Sequence, residues 1–524
     1  MLFNSFSFLF FYLPIVLAGY FLLGRLALAA AATSTDTATT LRRLAPAAWL
    51  ACASLFFYGW WDVRYLPLLL ASISINYAGG RLIGASTGAA RRRMLIAALL
   101  LNLALLAWYK YANFFVDSVN ALAAMADGGR GVWPSLDVVL PIGISFFTFT
   151  QIAFLVDCYR GEVREYRFIH YLLFVSYFPH LIAGPVLHHR DMMPQFADPA
   201  SHRPQAANFA IGLSIFVVGL AKKVLIADTL SPLALPVFAT GAQPTLIEAW
   251  IGVLAYTFQL YFDFSGYSDM AIGLSRLFGV KLPLNFNSPY KACNIAEFWR
   301  RWHMTLSRFL RDYLYIALGG SRHGEARRYR NLLLTMLLGG LWHGAGWTFV
   351  VWGALHGLYL VVQSGWQRAF GVSTARWWPA ALTLFAVMLA WIFFRAPDLV
   401  TAWNILGALF GANGVSLPRG AAGLAPLFAG WAWQPAFDGI RWIQLAGPGL
   451  PVLLLAMLLA LRAPNTQEIF SHYQPCIETI LQRRGQLQRW QWRPTRRWSM
   501  GFAALFVLCI FGMNRVTEFL YFQF

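Results

Sequence analysis

Charged side chains are scarce in this sequence. Asp, Glu, Lys and Arg make up only 12% of its 524 residues, whereas 58% of the residues are hydrophobic. Soluble proteins carry about 25% charged residues, so this chain has too few to cover the surface of a soluble protein of its length. The shortage argues against an ordinary soluble enzyme and indicates that lipid surrounds much of the chain.

Paired cysteines and the common nucleotide and hydrolase motifs are also absent. The five cysteines are scattered, without the spacing of a disulfide framework or a zinc site. There is no Walker phosphate loop, Rossmann glycine fingerprint, Gly-x-Ser-x-Gly elbow or His-Glu-x-x-His motif. His188, His189 and Asp191 lie close together, but without a second ligand cluster they do not predict a metal. We expect no bound metal or cofactor.

Positive charge is in excess, with a net charge of +19. Lys and Arg gather in short loops between apolar segments, which is typical of cytoplasmic loops. Membrane lipid, and not nucleic acid, is therefore the expected partner. This positive-inside rule predicts that the first apolar span has its N-terminus outside. It also predicts several cytoplasmic stretches. These are 25–43, 81–93, Lys222 with Lys223, 291–330 and the basic segment 463–497.

Long uncharged runs predict the fold. A membrane helix needs about 20 mostly apolar residues, and the runs along residues 1–524 predict one all-α, polytopic membrane domain of about 11–14 segments. Pro and Gly interrupt 168–189 and 229–247, so these two are expected to be re-entrant or broken. The run 331–367 is long enough to cross twice.

Residues 295–313 have the periodicity of one amphipathic helix lying in the membrane interface, within a cytoplasmic region at 295–330. One face is aromatic. The other face carries Arg300, Arg301, Arg308 and Arg311. These guanidinium groups suit the phosphates of an acyl carrier such as coenzyme A, or anionic lipid headgroups. His303 lies on the border between the faces, either as a functional group or as a solvated bystander.

An ionisable residue also lies deep within 331–367. His343 is 12 residues past Asn331, which is roughly 18 Å along a helix and more than halfway through the hydrocarbon. A buried ionisable group at that depth is a functional candidate, and the glycines around it permit a kink or close packing. The alternative is a histidine satisfied by a neighbouring carbonyl. His356 is a second polar candidate in this run.

Three further polar residues lie beside or within apolar runs. Asp263 and Asp269 follow an uncharged segment, where a carboxylate can orient a histidine, hold a basic partner or cap a helix. His180 lies in a run broken by Pro and Gly, where it can line a cavity. The residues alone leave these readings open.

Several motifs together give the chain a family resemblance. Residues 298–303 (FWRRWH), 310–316 (LRDYLYI) and 339–345 (GGLWHGA) occur in order. So do 140–146 (LPIGISF), 178–185 (FPHLIAGP), 259–273 (QLYFDFSGYSDMAIG) and the closing Phe-Gln-Phe. This set resembles the membrane-bound O-acyltransferase family, and most closely the members that acetylate bacterial exopolysaccharides such as alginate.

The resemblance implies a ring of helices around a thin core with a central tunnel. Within it, His343 corresponds to the family's essential buried histidine and His303 to its second one. Trp342, His356, His180, Asp263 and Asp269 are then expected to line or support the tunnel. The expected protein is a multi-pass enzyme of the bacterial inner membrane, working with an extracytoplasmic SGNH-hydrolase-like partner on an exopolysaccharide.

The implied reaction is transfer of an acetyl group from a cytoplasmic thioester, most simply acetyl-CoA. His343 would act as a general base or carry the acetyl group covalently, and His303 would orient the donor or stabilise the oxyanion. The rivals are acylation of another glycan, D-alanyl transfer onto teichoic acid, a transporter, and an inactive export scaffold.

Overall fold

Helices make up nearly all regular structure in the described residues. The computed structural model describes 1–33, 37–127, 133–165, 167–371, 375, 377–429, 434–437, 439–440, 447–479, 490–513 and 520. Within these ranges the β-structure is one isolated bridge, between Ser416 and Ala436, which confirms the all-α prediction. Residues 480–489 of the basic segment and the closing Phe-Gln-Phe lie outside the described residues.

The chain divides into two compact units, each assembled from distant segments. The first unit comprises Met1–Leu220, Tyr267–Asn285 and Thr466–Val507, and the second comprises Ala221–Gly266, Phe286–Asn465 and Leu508–Phe524. The helices that begin in the first segment of the first unit are α1 (Leu13–Thr33), α2 (Thr37–Gly59), α3 (Leu66–Ala85), α4 (Gly88–Leu106), α5 (Ala112–Asp127), α6 (Ile144–Arg160), α7 (Phe168–Ser176), α8 (Phe178–Leu181), α9 (His189–Ala197) and α10 (Ala206–Ala221).

The helices that follow include those of the second unit. They are α11 (Asp228–Ala234), α12 (Leu246–Leu277), α13 (Ile295–Trp299), α14 (Met304–Phe309), α15 (Glu325–His343), α16 (Trp347–Phe370), α17 (Trp377–Arg395), α18 (Leu399–Leu409) and α19 (Gly449–Leu461). The chain then returns to the first unit with α20 (Thr466–Ile469) and α21 (Arg496–Gly512). Helix α12 begins in the second unit and ends in the first, and α21 does the reverse.

Several helices have the length and composition of membrane spans. Five such stretches occur in the described residues: Phe8–Ala29, Val63–Ala85, Gly88–Met125, Ala206–Ala234 and Trp377–Arg395. Large apolar side chains along α4 are exposed, including Leu100 at 61%, which is stable only against lipid. The protein is a multi-pass membrane protein, and the larger number of 11–14 segments stays a prediction.

Both runs predicted to be broken are broken in the structure. Helix α7 ends at Ser176, and α8 follows as a single turn that ends at Leu181. The second run contains α11, which ends at Ala234, and no further helix forms before α12. Proline inside each run is consistent with these interruptions, because it removes a backbone donor.

Polar side chains buried in the first unit satisfy one another. The amides of Asn76 and Asn102 on α3 and α4 exchange hydrogen bonds at 3.2 and 2.7 Å. Gln151 on α6 donates to the Ser72 hydroxyl at 2.9 Å and accepts from Tyr171 at 3.3 Å. An unpaired amide among apolar helices would cost several kcal/mol, so these pairs stabilise the helix contacts.

The run 331–367 lies within two antiparallel helices, while its two membrane crossings stay a prediction. Helix α15 ends at His343, and α16 begins four residues later at Trp347. Glycines let their backbones approach: a Cβ on Gly353 would lie 2.5 Å from the Met336 carbonyl oxygen, and a Cβ on Gly340 would overlap the Phe349 carbonyl oxygen. This contact fixes where His343 lies, because His343 ends the shorter arm of the hairpin.

We expect Gly353→Ala to destabilise this hairpin. The added methyl group meets backbone atoms that cannot move aside, and overpacking of this kind costs about 1–3 kcal/mol. The thermal midpoint of the detergent-solubilised protein should fall. Gly365→Ala on the same helix is the matched control, since nothing lies within 4 Å of its added Cβ. Equal midpoints for the two variants would contradict the close packing.

Candidate active site

The segment around His303 is not one continuous helix. Helix α13 ends at Trp299, α14 begins at Met304, and a π-helical turn follows at Leu310–Tyr315. His303 itself has φ 43° and ψ 54°, a left-handed conformation that costs a residue with a Cβ about 1–2 kcal/mol. The prediction of a single amphipathic helix over 295–313 is therefore wrong, because this kink interrupts the helix.

The kink turns His303 inward. Its side chain is fully buried, so its interpretation as a solvated bystander is wrong too. Most of the predicted aromatic face is nonetheless buried as expected, and its most buried members are Phe298, Trp302, Leu306 and Phe309. The apolar pattern correctly indicated which side chains leave water, although the backbone that carries them is bent.

His303 and His343 come together in the second unit although 40 residues separate them. Their ring centroids are 6.4 Å apart with the planes inclined by 65°. Phe264 on α12 meets the His303 ring edge-on at 4.8 Å. Both histidines are buried, with His343 only 6% exposed. The pair joins the end of α15 to the kink between α13 and α14.

Aromatic rings enclose His343 on the remaining sides. Trp342, Trp352 and Phe394 lie with their ring centroids 4.9, 5.1 and 5.2 Å from the imidazole. These three side chains come from α15, α16 and α17. The site is thus a histidine pair in a narrow apolar surround, which strengthens electrostatic interactions with a reacting group by excluding water.

Burial keeps His303 neutral. Loss of water around the imidazole lowers the pKa of His303 to about 3, against an ordinary value near 6.5. A neutral imidazole offers one hydrogen-bond donor and one acceptor. At physiological pH His303 can therefore hold or polarise a neutral group, but it does not act as a fixed cation.

This pKa predicts an acid sensitivity of the fold. Between about pH 6.5 and pH 3 the unfolded chain takes up a proton at His303 that the folded protein refuses. The contribution of neutral His303 to the free energy of unfolding is complete above pH 6.5. It declines as the pH falls, by roughly 2 kcal/mol at pH 5. The difference in unfolding free energy between wild type and His303→Gln should shrink by that amount from pH 8 to pH 5. A constant difference would contradict a neutral buried His303.

A buried ion cluster lies one residue from Phe264. Lys223 Nζ is 2.8 Å from Asp228 Oδ1 and 2.8 Å from Asp263 Oδ1, and all three side chains are buried. The second oxygen of Asp263 accepts a hydrogen bond from the Leu520 N–H at 3.3 Å. Asp263 thus holds a basic partner, which confirms one of its predicted readings. It lies inside α12, so the helix-cap reading is wrong.

Sequence reasoning missed this cluster. The positive-inside rule predicts that Lys222 and Lys223 are cytoplasmic loop charges. This is wrong for Lys223, since it is only 1% exposed. The two lysines begin a π-helical turn, Lys222–Ala227, that leads into α11. An available signal was Asp228 five residues after Lys223, the spacing that a π-helical turn brings together.

We expect Lys223→Met to destabilise the protein strongly. It leaves two buried carboxylates without their cation, and breaking a buried ion pair from one side costs about 3–5 kcal/mol. Thermal unfolding in detergent measures the loss. Arg64→Met is the control, because Arg64 forms an exposed pair with Asp62 and such pairs contribute little. An unchanged midpoint for Lys223→Met would refute the ion cluster.

Two predicted tunnel residues have other partners in the first unit. Asp269 accepts hydrogen bonds from the Thr466 hydroxyl at 2.6 Å and the Gln467 amide at 3.1 Å, and it too lies inside α12 and is no cap. His180 Nε2 is 3.1 Å from the Phe174 carbonyl oxygen, so as an N–H donor it is satisfied locally. The structure therefore gives both residues a local structural partner.

Arginines of the predicted anion face differ in their surroundings. Arg301 pairs with Glu297 at 2.6 Å, and Arg311 pairs with Asp312 at 2.6 Å. Arg300 is exposed and Arg308 is half-buried. Arg301 and Arg311 are thus engaged by carboxylates of the same segment, and donor binding by this face stays a prediction.

His188 and His189 meet a different carboxylate from the one considered in the sequence. Their Nε2 atoms lie 2.8 and 3.1 Å from Asp157 Oδ2 in the first unit. Ligand atoms of the three residues lie within 4.8 Å of one another. The Nδ1 atom of His188 accepts the Arg190 N–H, so its Nε2 carries the proton and donates to Asp157. This arrangement suits a hydrogen-bonded trio better than a metal site.

Comparisons with known proteins match the residues that form this site. The membrane-bound O-acyltransferase family model (MBOAT) matches residues 91–402, a range that contains both candidate histidines. A peptidoglycan O-acetyltransferase from Helicobacter pylori is 44% identical over 446 residues, covering 80% of this chain and 81% of the relative.

Further relatives come from other branches. A probable alginate O-acetylase, AlgI, from Pseudomonas aeruginosa is 45% identical over 421 residues, covering 78% of this chain and 75% of the relative. A teichoic acid D-alanyltransferase from Streptococcus thermophilus is 28% identical over 242 residues, covering 43% of this chain and 57% of the relative. All three relatives are named for the transfer of an acyl group.

Proposed function

The chain belongs to the membrane-bound O-acyltransferase family, and we propose that this multi-pass acyltransferase O-acetylates a glycan outside the bacterial inner membrane. The acetyl group comes from a cytoplasmic thioester, acetyl-CoA, and passes through the site that holds His303 and His343. The observation that carries this proposal is the pairing of two buried imidazoles 6.4 Å apart inside an aromatic surround.

His343 is the reacting histidine in this proposal. As a general base it removes the proton of the acceptor hydroxyl, whose oxygen attacks the thioester carbonyl. The tetrahedral intermediate then expels the thiolate, which takes the proton back from the imidazolium. As a nucleophile, His343 would instead carry the acetyl group between thiol and hydroxyl. Both routes need the imidazole to begin neutral, which burial favours.

His303 assists at the carbonyl oxygen. A neutral imidazole can donate one hydrogen bond to the developing oxyanion, and such donors are worth more in a site that excludes water. The left-handed backbone at His303 holds the ring in place, and the Phe264 contact limits its rotation. Strain of this kind persists where the surrounding structure supports it, often at reacting sites.

The rings around His343 favour a short acyl group. Trp342, Trp352 and Phe394 approach the imidazole to about 5 Å between centroids, and side chains this close restrict the size of an acyl group beside it. The two relatives that cover most of the chain are named for O-acetyl transfer, and this agrees with an acetyl donor.

The donor is expected at the cytoplasmic side. Arg300, in the segment predicted to be cytoplasmic, is exposed, and its guanidinium suits the phosphates of coenzyme A. An extracytoplasmic SGNH-hydrolase-like partner would receive the acetyl group, or the glycan would receive it directly. Alginate-like exopolysaccharide is the first candidate for the final acceptor. Peptidoglycan is the second, because the relative named for it covers most of this chain.

We expect His343→Ala to abolish acetylation. In a strain that lacks the gene, the wild-type protein should restore O-acetyl esters, measured separately on exopolysaccharide and peptidoglycan. The variant should lower the ester content at least about 100-fold, because removing a reacting base costs that much. His472→Ala, at an exposed histidine, should act like wild type at equal membrane levels.

The other outcomes distinguish the rivals. Normal acetylation by His343→Ala would remove His343 from the chemistry and direct attention to His303. Loss of polymer export, with the esters per residue unchanged, would contradict the enzyme proposal and favour a transporter or an export scaffold. Esters on peptidoglycan alone would identify the second acceptor.

A further inference from the structure

His356 is a buried histidine that the proposed chemistry does not use. It lies on α16, its side chain is fully buried, and neither of its ring nitrogens has a hydrogen-bond partner among the described residues. A buried polar atom without a partner destabilises the fold, and most buried polar atoms in native proteins have at least one partner. His180 differs in keeping one partner: a carbonyl oxygen lies 3.1 Å from its Nε2, although its Nδ1 has none among the described residues.

Aromatic rings surround His356 and bring further unused donors to it. Trp352 and Trp299 lie edge-on at 4.9 and 5.0 Å between centroids, and Phe298 lies parallel at 6.1 Å. The indole N–H groups of Trp299 and Trp352 also lack an acceptor among the described residues. One imidazole and two indoles therefore present donors and one acceptor within an otherwise apolar cluster.

This cluster adjoins the reacting site on one side. The Trp352 ring contacts His343 at 5.1 Å and His356 at 4.9 Å between centroids, so one indole separates the two imidazoles. Trp299 ends α13, within the segment predicted to be cytoplasmic. The inference rests on the proposed function, in which the thioester arrives from that side and its sulfur lies near His343.

The ligand that fits is neutral, narrow and able to both donate and accept hydrogen bonds. An alkyl chain would leave the ring nitrogens unpartnered. An anion is also disfavoured, because the rings that contact His356 carry no charge. The arm of a pantetheine thioester has an amide two methylene groups from its sulfur, and an amide offers one N–H and one carbonyl.

We propose that His356, with Trp299, binds the amide of the donor's pantetheine arm and so sets the thioester carbonyl beside His343. The imidazole donates to or accepts from the amide, the Trp299 indole donates to its carbonyl, and the rings of Phe298 and Trp352 pack on the methylene groups. The transfer itself is unchanged: the amide makes no covalent bond, and the thiol leaves as in the proposed reaction.

Two acetyl thioesters test this assignment on the purified full-length protein. One is the acetyl thioester of N-acetylcysteamine, which has the amide, and the other is that of an alkyl thiol of equal length without it. Thiol release is measured with oligomannuronate and peptidoglycan fragments offered as acceptors. His356→Phe should lower kcat/KM for the amide thioester about tenfold, the usual value of one hydrogen bond. For the alkyl thioester it should stay within about twofold.

Matched variants separate binding from folding. His356→Gln keeps a donor and an acceptor and should recover part of the preference for the amide thioester. Trp299→Phe should reduce that preference. Trp366→Phe should not, because Trp366, on α16 with His356, is 55% exposed. An equal loss with both thioesters, or an unchanged preference in His356→Phe, would overturn the assignment. Thiol release from acetyl-CoA but from neither short thioester would overturn this inference alone, and release from none of the three would overturn direct transfer to these glycans in the proposed function.

Discussion

A polar group enclosed by apolar side chains is destabilising unless it finds a partner, and this constraint accounts for many contacts in the molecule. It pairs Asn76 with Asn102 across two helices, and it places Lys223 between two carboxylates. The pairs Asn76–Asn102 and Lys223–Asp263 join chain segments that are distant in sequence. His356 is informative for this reason, since both of its ring nitrogens are buried without a partner among the described residues, which points to a ligand.

Close packing at glycine brings the reacting groups to one place. The contact at Gly353 draws α15 and α16 together, and the turn between them leaves His343 at a helix end facing three aromatic rings. The ion pair of Asp263 with Lys223 supports His303, because Asp263 directly precedes Phe264, whose ring contacts His303. Rigid supports of this kind suit acyl transfer, where a displacement of about 1 Å in a reacting group can cost 100-fold in rate.

The proposed chemistry depends on the environment of the two imidazoles more than on any unusual reactivity of the groups themselves. Imidazole is a moderate base and donor, and it becomes effective when water is excluded and the carbonyl is held at a fixed distance. The enclosure that lowers the pKa of His303 also keeps it able to donate or accept at neutral pH. One environment thus supplies both the protonation state and the low dielectric that the reaction needs.

The sequence by itself determined the class of fold, the family and the candidate histidines. Those follow from local information: scarce charge, apolar runs of spanning length, and short motifs around His303 and His343. Helical periodicity also indicated the buried aromatic face, but it could not foresee the left-handed backbone at His303, because that kink is stabilised by contacts with α12 and α15. Only the tertiary structure placed Lys223 in an ion cluster rather than in a loop, gave Asp269 and His180 local partners, and left His356 without one. The contacts of Lys223 with Asp263 and of Asp269 with Thr466 depend on which distant segments meet, and hydrogen bonds and ion pairs between such segments have no fixed spacing in the sequence.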